Sequence, residues 1–369
     1  MKALVFLLLV LPQVVSQAPV VVPELNPPLR VSPRITPAEE PVLREGIALY
    51  DQGRHDEAIT RYEQVLKQNP DSTAAMYELA MSYQQKRQFQ MAIDLAAKGA
   101  EYSCPQLPQF YALIGNILDG QGQVDKAIDT YKKGIALNTP NAGTLYLNMG
   151  VSYSSGKKDF VSSKAAYKQG ALVDSNYPGL HLQLATIYLG QGLKTPVLMA
   201  FSRFLVLEPN TPRAQSAYNA WRAMLDNRAT PVVQPVSPLY DYVHSPQQTF
   251  EGDLTQLDAA LVTSKAAAAA PGKPQIQLLV DQVDNLFGTY ATIQPGNDKD
   301  TFLWKYYIPY VVEMKKNGFV EPFVYYVNQS TNLPGIREWL MAHPDRVNAF
   351  LQWSRTYGWP DKATVDTTR

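Results

Sequence analysis

The stretch Gly53-Arg-His-Asp-Glu-Ala-Ile-Thr-Arg-Tyr62 decides the fold, because its pattern recurs along the chain. Ala58 is followed by Ala92 after 34 residues and by Ala127 after 35 more. The position of Tyr62 recurs at Ala96, Tyr131, Tyr167 and Phe201. A period near 34 residues is typical of helical hairpins that stack on one another.

Each period divides into two helices that approach closely. A small residue recurs in the first helix, at Gly46, Ala80, Gly115, Gly150 and Ala185. The close-packed point of the second helix falls at Ala58, Ala92, Ala127 and Val197. A glycine marks the turn between the helices, where a left-handed backbone is needed, at Gly53, Gly122 and Gly192.

These positions together resemble the tetratricopeptide repeat family, over about residues 39–211 and five repeats. The fourth repeat departs from the pattern, because Ser155-Gly-Lys-Lys-Asp-Phe160 carries about one extra residue and Ser163 replaces the expected alanine. A further helix over Arg213–Asp226 resembles the helix that caps the last repeat. The resemblance implies an all-α fold: a right-handed superhelical solenoid of about five repeats with a capping helix, followed here by an α-helical C-terminal region of no recognised family.

The resemblance also implies a partner-binding groove lined by the first helix of each repeat. Carried over position by position, the groove residues are Leu43, Ile47, Tyr50, Tyr77, Met81, Gln84, Gln85, Asn116, Asp119, Leu147, Val151, Thr186 and Leu189, with Ala112, Ser154 and Leu182 at equivalent positions. No Lys or Arg is among them, so a clamp for a partner's terminal carboxylate is not expected. An apolar or aromatic peptide or helix fits better. Alternatively, the chain's own N-terminal arm or C-terminal domain fills the groove.

Composition argues against several other functions. The 369 residues contain 33 Lys and Arg against 33 Asp and Glu, and a general nucleic-acid binder usually has a basic excess. The four histidines have no metal-binding spacing, and Gly120-Gln-Gly122 and Gly190-Gln-Gly192 lack the rest of a phosphate loop. The lone Cys104 reads as a small buried side chain at a junction between repeats. We therefore expect no cofactor, no metal and no catalysis.

Proline content divides the chain into segments. Residues 1–16 read as a signal peptide, with Lys2 before a short apolar run, and a retained anchor is the alternative. A Pro-rich extended arm over 17–38 precedes the repeat domain of 39–227. A Pro-rich linker over 228–248 leads to a helical domain over 249–360 and a flexible tail over 361–369. The sequence thus predicts an exported protein, periplasmic or extracellular, without a lipid-anchoring cysteine and without a membrane span in the mature chain.

The C-terminal region is predicted to contain helices over Thr249–Ala270, Gln275–Tyr290, Thr301–Lys316 with a kink or break at Pro309, Val320–Asn328, Gly335–Ala342 and Pro344–Tyr357. Its aromatic side chains at helical spacing indicate a core more than a ligand box. Asn328-Gln-Ser330 matches a glycosylation acceptor.

Two alternatives to a binding scaffold stay open at this stage. One is an enzyme, which would need a C-terminal pocket converging several of Glu313, Glu321, His343, Asp345 and Arg346. The other is a structural subunit of an envelope or extracellular assembly, whose repeats stack on copies of themselves.

His55, Asp56 and Glu57 look like a catalytic cluster until the repeat is aligned. His55 occupies a position that is Phe89, Val124 or Phe160 elsewhere, which predicts a half-buried ring. Asp56 and Glu57 fall in the first turn of a helix, where carboxylates are favourable. The triplet therefore predicts the start of a helix.

Overall fold

The computed structural model describes residues 19–228, 251–268, 272–365 and 367. The regular secondary structure of the described chain is helical apart from two short strands. The predicted signal peptide over 1–16 and almost all of the predicted linker over 228–248 lie outside the described residues.

Five helical hairpins and one further helix form the repeat region, as the period predicts. The hairpins pair α1 (Glu39–Asp51) with α2 (His55–Gln68), α3 (Thr73–Gln85) with α4 (Phe89–Gly99), α5 (Leu107–Gly120) with α6 (Val124–Ala136), α7 (Gly143–Val151) with α8 (Phe160–Val173), and α9 (Pro178–Gly190) with α10 (Lys194–Leu207). The further helix is α11 (Pro212–Leu225).

A tyrosine in the second helix fixes the spacing inside several hairpins. A Cβ atom placed at Gly115 would lie 2.2 Å from Cε1 of Tyr131, and one at Gly46 would lie 2.5 Å from Cε1 of Tyr62. Only glycine leaves room for these rings, which are almost completely buried. Where the recurrent small residue is glycine, it therefore makes room for the tyrosine ring of the opposite helix.

The fourth repeat accommodates its extra residue in a π-helical turn. Ser152–Lys157 continues α7 with wider hydrogen bonding, and Lys158 then takes the left-handed backbone (φ +58°) that Gly53 and Gly122 take elsewhere. The departure seen in the sequence is thus an insertion into the helix, and the hairpin still closes.

The N-terminal arm is extended, as predicted, and is docked on the repeats. Arg30–Val31 (β1) pairs in parallel with Tyr102–Ser103 (β2), the loop that follows α4. Nη1 of Arg30 donates to the hydroxyl of Tyr102 (3.0 Å), which donates to Asp71 (2.6 Å). Nearer its start, Val21 exchanges two hydrogen bonds with Gln90 of α4, each 2.8 Å. The arm therefore lies along α4, a second helix.

The C-terminal region contains α12 (Thr255–Ala267), α13 (Gln275–Tyr290), α14 (Ile308–Lys316), α15 (Val320–Val327), α16 (Ile336–Ala342) and α17 (Pro344–Arg355). Of the kink or break predicted at Pro309, the break is wrong, because the helix continues through this position. A π-helical turn over Leu303–Tyr307 runs directly into α14, and Pro309 lies in the first turn of α14. The wider turn removes the clash that a proline ring makes inside a regular helix.

The C-terminal helices and repeats 2 to 5 share one hydrophobic core, while a smaller core lies in repeat 1 and against α3. Trp221 of α11 is fully buried, with its ring 6.1 Å from that of Phe323 in α15. The predicted capping helix is therefore covered on one side by the C-terminal region. The predicted flexible tail also differs from the structure, because Val365 is buried and Gln169 of α8 donates to Thr367 (3.4 Å).

Candidate partner-binding surface

The first helices of the five hairpins form a continuous surface, here called the inner surface. Neighbouring first helices touch one another all along the stack, from α1 and α3 to α7 and α9, whereas neighbouring second helices touch less. This unequal spacing curves the stack with its first helices inside. The second helices form the opposite, outer surface.

All the predicted groove residues lie on first helices or, for Ser154, on the π-helical turn that continues one. Ile47, Tyr50, Tyr77, Met81, Gln84, Asp119, Leu147, Val151, Thr186 and Leu189 are half-buried, and Gln85 and Asn116 are exposed. Leu43 and Ala112 are corrections. Leu43 is 7% exposed and packs in the small core of repeat 1, and Ala112 is 6% exposed and packs in the large core, so neither offers a partner a surface.

Two asparagines lie side by side where α5 meets α7. The Oδ1 atom of Asn116 accepts from the hydroxyl of Tyr131 and from Nδ2 of Asn148, each at 2.8 Å. Because Asn116 is exposed, its amide group is available to a peptide backbone. Asn148 was missed from the sequence, although it stands two residues before Gly150, a first-helix position that faces the neighbouring repeat.

The junction of α1 and α3 has the same layout with different side chains. Glu78 stands two residues before Ala80, the position that Asn148 holds relative to Gly150. Ile47 replaces Asn116, and the hydroxyl of Tyr62 beneath it has no hydrogen-bond partner among the described residues. Burial first, and then the charge of Asp51, raises the pKa of Glu78. Burial, followed by the charges of Glu78 and Asp51, raises the pKa of Tyr62.

Elsewhere the C-terminal region covers the outer surface of repeats 4 and 5. Arg203 of α10 donates to Oγ of Ser354 in α17 (2.6 Å) and to Oδ1 of Asn176 (2.7 Å). Its guanidinium also lies over the rings of Tyr310 and Trp359, at 5.4 and 5.0 Å from their centroids. The hydroxyl of Tyr306 donates to the carbonyl of Ala171 in α8 (2.8 Å).

A buried charge cluster completes this contact. Oε1 of Glu251 accepts from Nζ of Lys164 (2.6 Å) and Nζ of Lys168 (2.8 Å), all three side chains being at most 1% exposed. Burial lowers the pKa of Lys164 to about 8, although Glu251 opposes this. Burial alone would raise the pKa of Glu251, and the two ammonium groups outweigh it and hold that pKa below its usual value.

The five side chains of the enzyme alternative do not form a common pocket. Arg346 pairs with Glu321 (2.6 Å) at the surface, and His343 stacks on Trp339 with ring centroids 4.6 Å apart. Glu313 and Asp345 are exposed. Among the described residues, no group of three or more His, Cys, Asp and Glu side chains is arranged to hold a metal ion.

The remaining sequence features have structural placements. His55 is half-buried against the ring of Tyr50 (5.0 Å), as predicted. Asp56 lies in the first turn of α2 and pairs with Lys86, without a side-chain cap hydrogen bond at this helix start. Cys104 is half-buried in the loop between repeats 2 and 3, where burial raises its pKa. Asn328 is fully buried and accepts from the hydroxyl of Tyr218, so it is closed to glycosylation in this fold.

The fold and the inner surface define a solenoid of stacked helical hairpins. Two family models, both described as the tetratricopeptide repeat, match residues 43–108 and 108–141. Residues 43–141 therefore carry tetratricopeptide repeats. None of the described helices is long and apolar enough to cross a membrane.

Individual proteins resemble parts of the chain. "BBSome complex member BBS4" from Bos taurus is 29% identical over 110 residues, which is 28% of this chain and 21% of that protein. The chain thus matches about a fifth of the length of this relative. TTC0263, a thermophilic TPR protein of Thermus thermophilus, is 23% identical and covers 51% of this chain and 98% of its own, with a TM-score of 0.39. Pseudomonas aeruginosa pilF is 15% identical and covers 56% and 96%, with a TM-score of 0.41.

Proposed function

We propose that this protein is a non-catalytic interaction scaffold that holds an apolar or aromatic segment of a partner protein along its inner surface. The repeats belong to a class of folds that presents first-helix side chains to partners. The half-buried Tyr77, Met81, Leu147 and Leu189 supply apolar contact area, and the amide of Asn116 supplies a polar contact to backbone.

One observation carries the proposal: the described arm and C-terminal region lie mainly on second helices. The arm follows α4 and reaches first helices only at Thr73 and Gln121, and the C-terminal region is bonded mainly to α8 and α10, with further bonds to the buried His181 and Tyr188 of α9. Among the described residues, no hydrogen bond joins either segment to a predicted groove residue. The inner surface is thus the side of the stack that these segments leave to a partner.

The proposal extends to location, on the sequence of residues 1–16. An apolar run of this length after Lys2 is typical of a secretory signal. We therefore place the scaffold outside the cytoplasm, in the periplasm or the extracellular space. N-terminal sequencing of the protein recovered from that compartment should begin after Ser16, and recovery of an intact N-terminus from the cytoplasm would contradict the placement.

A structural subunit of a larger assembly is the second candidate. It is favoured by the bovine relative, whose own description is that of a complex member. The mass of the protein in solution distinguishes the two candidates. A subunit that stacks on itself should form oligomers whose mass rises with concentration, whereas an adaptor should keep the mass of one chain plus its partner.

The groove is tested with a photo-crosslinking amino acid placed in the full-length protein in its native cell. Met81 on α3 and Met91 on α4 form a matched pair, because both are partly exposed methionines and they lie on opposite surfaces. Crosslinks at Met81 identify the partner and its segment by mass spectrometry. That segment is then synthesised for binding measurements on the purified protein.

We expect Tyr77→Ala combined with Met81→Ala to weaken binding of this peptide at least tenfold, since aromatic anchors in a groove contribute about 2 kcal/mol or more. Met91→Ala should leave the dissociation constant within about twofold, because most interface residues away from hot spots are near neutral. Equal affinity for the double variant, or crosslinking chiefly from Met91, would overturn the groove.

A further inference from the structure

The junction of α1 and α3 carries three polar groups that the described chain leaves without partners. Asp51 and Glu78 form no ion pair within the described residues, and the hydroxyl of Tyr62 is buried there without a hydrogen bond. A buried, unpaired hydroxyl costs about 1–3 kcal/mol. Tyr62 carries this cost, whereas Glu78 is half-buried and Asp51 is exposed, so the three groups share the lack of a partner and differ in burial.

The position of Asp51 adds to this cost. It is the last residue of α1, where the helix dipole presents its negative end and a carboxylate is unfavourable. Neighbouring cations do not compensate, since Arg44 pairs with Glu40, Arg61 with Glu45 and Lys86 with Asp56. The negative charge of the exposed Asp51, at the end of a first helix, is thus not paired within the described residues.

Glu78 lies half-buried on the neighbouring first helix. It holds the α3 position that Asn148 holds on α7, so the repeat geometry places it near the end of the Tyr62 ring, as Asn148 lies beside Asn116 at the end of the Tyr131 ring. The charge of Asp51 adds to the effect of burial in raising the pKa of both Glu78 and Tyr62. The ring of Tyr62 passes against Gly46, as the ring of Tyr131 passes against Gly115.

In repeat 3, the ring of Tyr131 ends on a hydrogen bond to Asn116 at the inner surface. The hydroxyl of Tyr62 is therefore aimed at the equivalent place in repeat 1, beside Glu78, where Ile47 offers it no acceptor. The aromatic rings of Tyr50 and Tyr77 border the same junction from the groove positions of repeats 1 and 2.

We propose that this junction binds a basic side chain, lysine or arginine, of the partner segment. The inference rests on the proposed function and specifies its partner. An ammonium group donates three hydrogen bonds, and the two carboxylates and the hydroxyl oxygen supply three acceptors. The bordering tyrosine rings suit the charged head and its apolar stem. The bound cation removes the repulsion between Asp51 and Glu78 and gives Tyr62 a partner.

The test uses purified full-length protein and a displayed library of random peptides. Peptides selected on the wild-type protein should combine apolar or aromatic residues with one lysine or arginine. A selected peptide containing lysine is then synthesised alongside a version in which norleucine replaces the lysine, which keeps the stem and removes the charge.

We expect norleucine to weaken binding to the wild-type protein roughly tenfold and to weaken binding to Asp51→Asn/Glu78→Gln less than about twofold. Both substitutions preserve side-chain shape, and circular dichroism should show the wild-type helix content. Tyr77→Ala/Met81→Ala should weaken both peptides, because it removes apolar contact area that both of them use.

The outcomes separate the two proposals. The cation site is overturned if the peptides that bind the inner surface lack a basic residue. It is also overturned if norleucine weakens binding to Asp51→Asn/Glu78→Gln as much as it weakens binding to the wild-type protein. Neither result contradicts binding in the groove. If no peptide enriches, or if enriched peptides bind Tyr77→Ala/Met81→Ala as well as wild type, the groove fails and the cation site fails with it.

Discussion

Replacing Arg203 with lysine tests whether the repeats and the C-terminal helices form one cooperative unit. The guanidinium is fully buried and bridges the two regions, donating to Oδ1 of Asn176 on the repeat side and to Oγ of Ser354 in α17. Its Nε and Nη2 also donate to the carbonyl of Ser175, both at 3.2 Å. A lysine keeps the charge but carries its donors on one atom, so it cannot serve both sides.

The magnitude follows from the acceptors that lysine abandons. Leaving one buried acceptor group unpaired costs about 1–3 kcal/mol. Losing the stacked guanidinium over Tyr310 and Trp359 costs about 1 kcal/mol more, because an ammonium retains only part of that interaction. Arg203→Lys should therefore lower the free energy of unfolding by about 3 kcal/mol.

The assay is urea unfolding followed by tryptophan fluorescence and, separately, by far-ultraviolet circular dichroism. Trp353 and Trp359 report on the C-terminal side, and the helical signal reports on the whole chain. Both transitions should shift together. Arg44→Lys is the matched control, since the Arg44 side chain is 77% exposed and its pair with Glu40 should contribute less than about 0.5 kcal/mol.

A loss below about 1 kcal/mol for Arg203→Lys would refute the bridging role. Two transitions that separate, with fluorescence shifted and the helical signal unchanged, would refute the shared cooperative core.

Three further perturbations address the hairpins, the buried histidine and the arm. Gly115→Ala should lower the free energy of unfolding in urea by about 1–3 kcal/mol, because its Cβ would lie 2.2 Å from the ring of Tyr131. Gly120→Ala is the control and should not destabilise the protein, since a Cβ there would have nothing within 4 Å. Equal effects of the two substitutions would contradict the role of Gly115 in making room for the ring. The pKa of His181 is lowered to about 3 by burial and then by Arg203, so its neutral form stabilises the fold above an unfolded pKa near 6.5 and that contribution is lost as pH falls toward 3. At pH 5 the loss should be about 2 kcal/mol relative to pH 7, and His181→Gln should flatten this part of the pH profile; an unchanged slope would contradict the assignment. Tyr102→Phe removes the hydrogen bonds to Arg30 and Asp71, so a protease should cleave the N-terminal arm faster. The free energy of global unfolding should change by about 1 kcal/mol or less. An unchanged cleavage rate would show that other contacts hold the arm.

The repeat fold was predictable because its determinants are local and periodic. Glycine at 46, 115 or 150 must face a tyrosine ring 16 or 17 residues later, and that requirement recurs in three of the five hairpins. The same period predicted which helices carry the groove positions, but not that Leu43 and Ala112 are buried, because burial depends on how each side chain packs between helices.

The docking of the C-terminal region was not predictable in this way. Its contacts join residues far apart, such as Arg203 and Ser354, which are 151 positions apart, and such pairs leave no periodic trace. Lys164 and Lys168 illustrate the difficulty, because lysines in a helix ordinarily face solvent and here they are buried against Glu251. Their burial is explained only by their ion pairs with Glu251, which lies more than 80 residues away in the sequence.

The two surfaces of the stack therefore have different tasks, and the inner one is itself asymmetric. Its apolar side chains would hold a partner segment in either direction, because hydrophobic contacts are non-directional. Direction requires polar contacts at unequal places, and the inner surface has two: the carboxylates where α1 meets α3, and the asparagine pair where α5 meets α7. If the partner segment binds as proposed, a basic side chain at the first place and a peptide amide at the second would fix both its orientation and its register. Reversing the sequence of a bound peptide should accordingly abolish its binding even though its composition is unchanged.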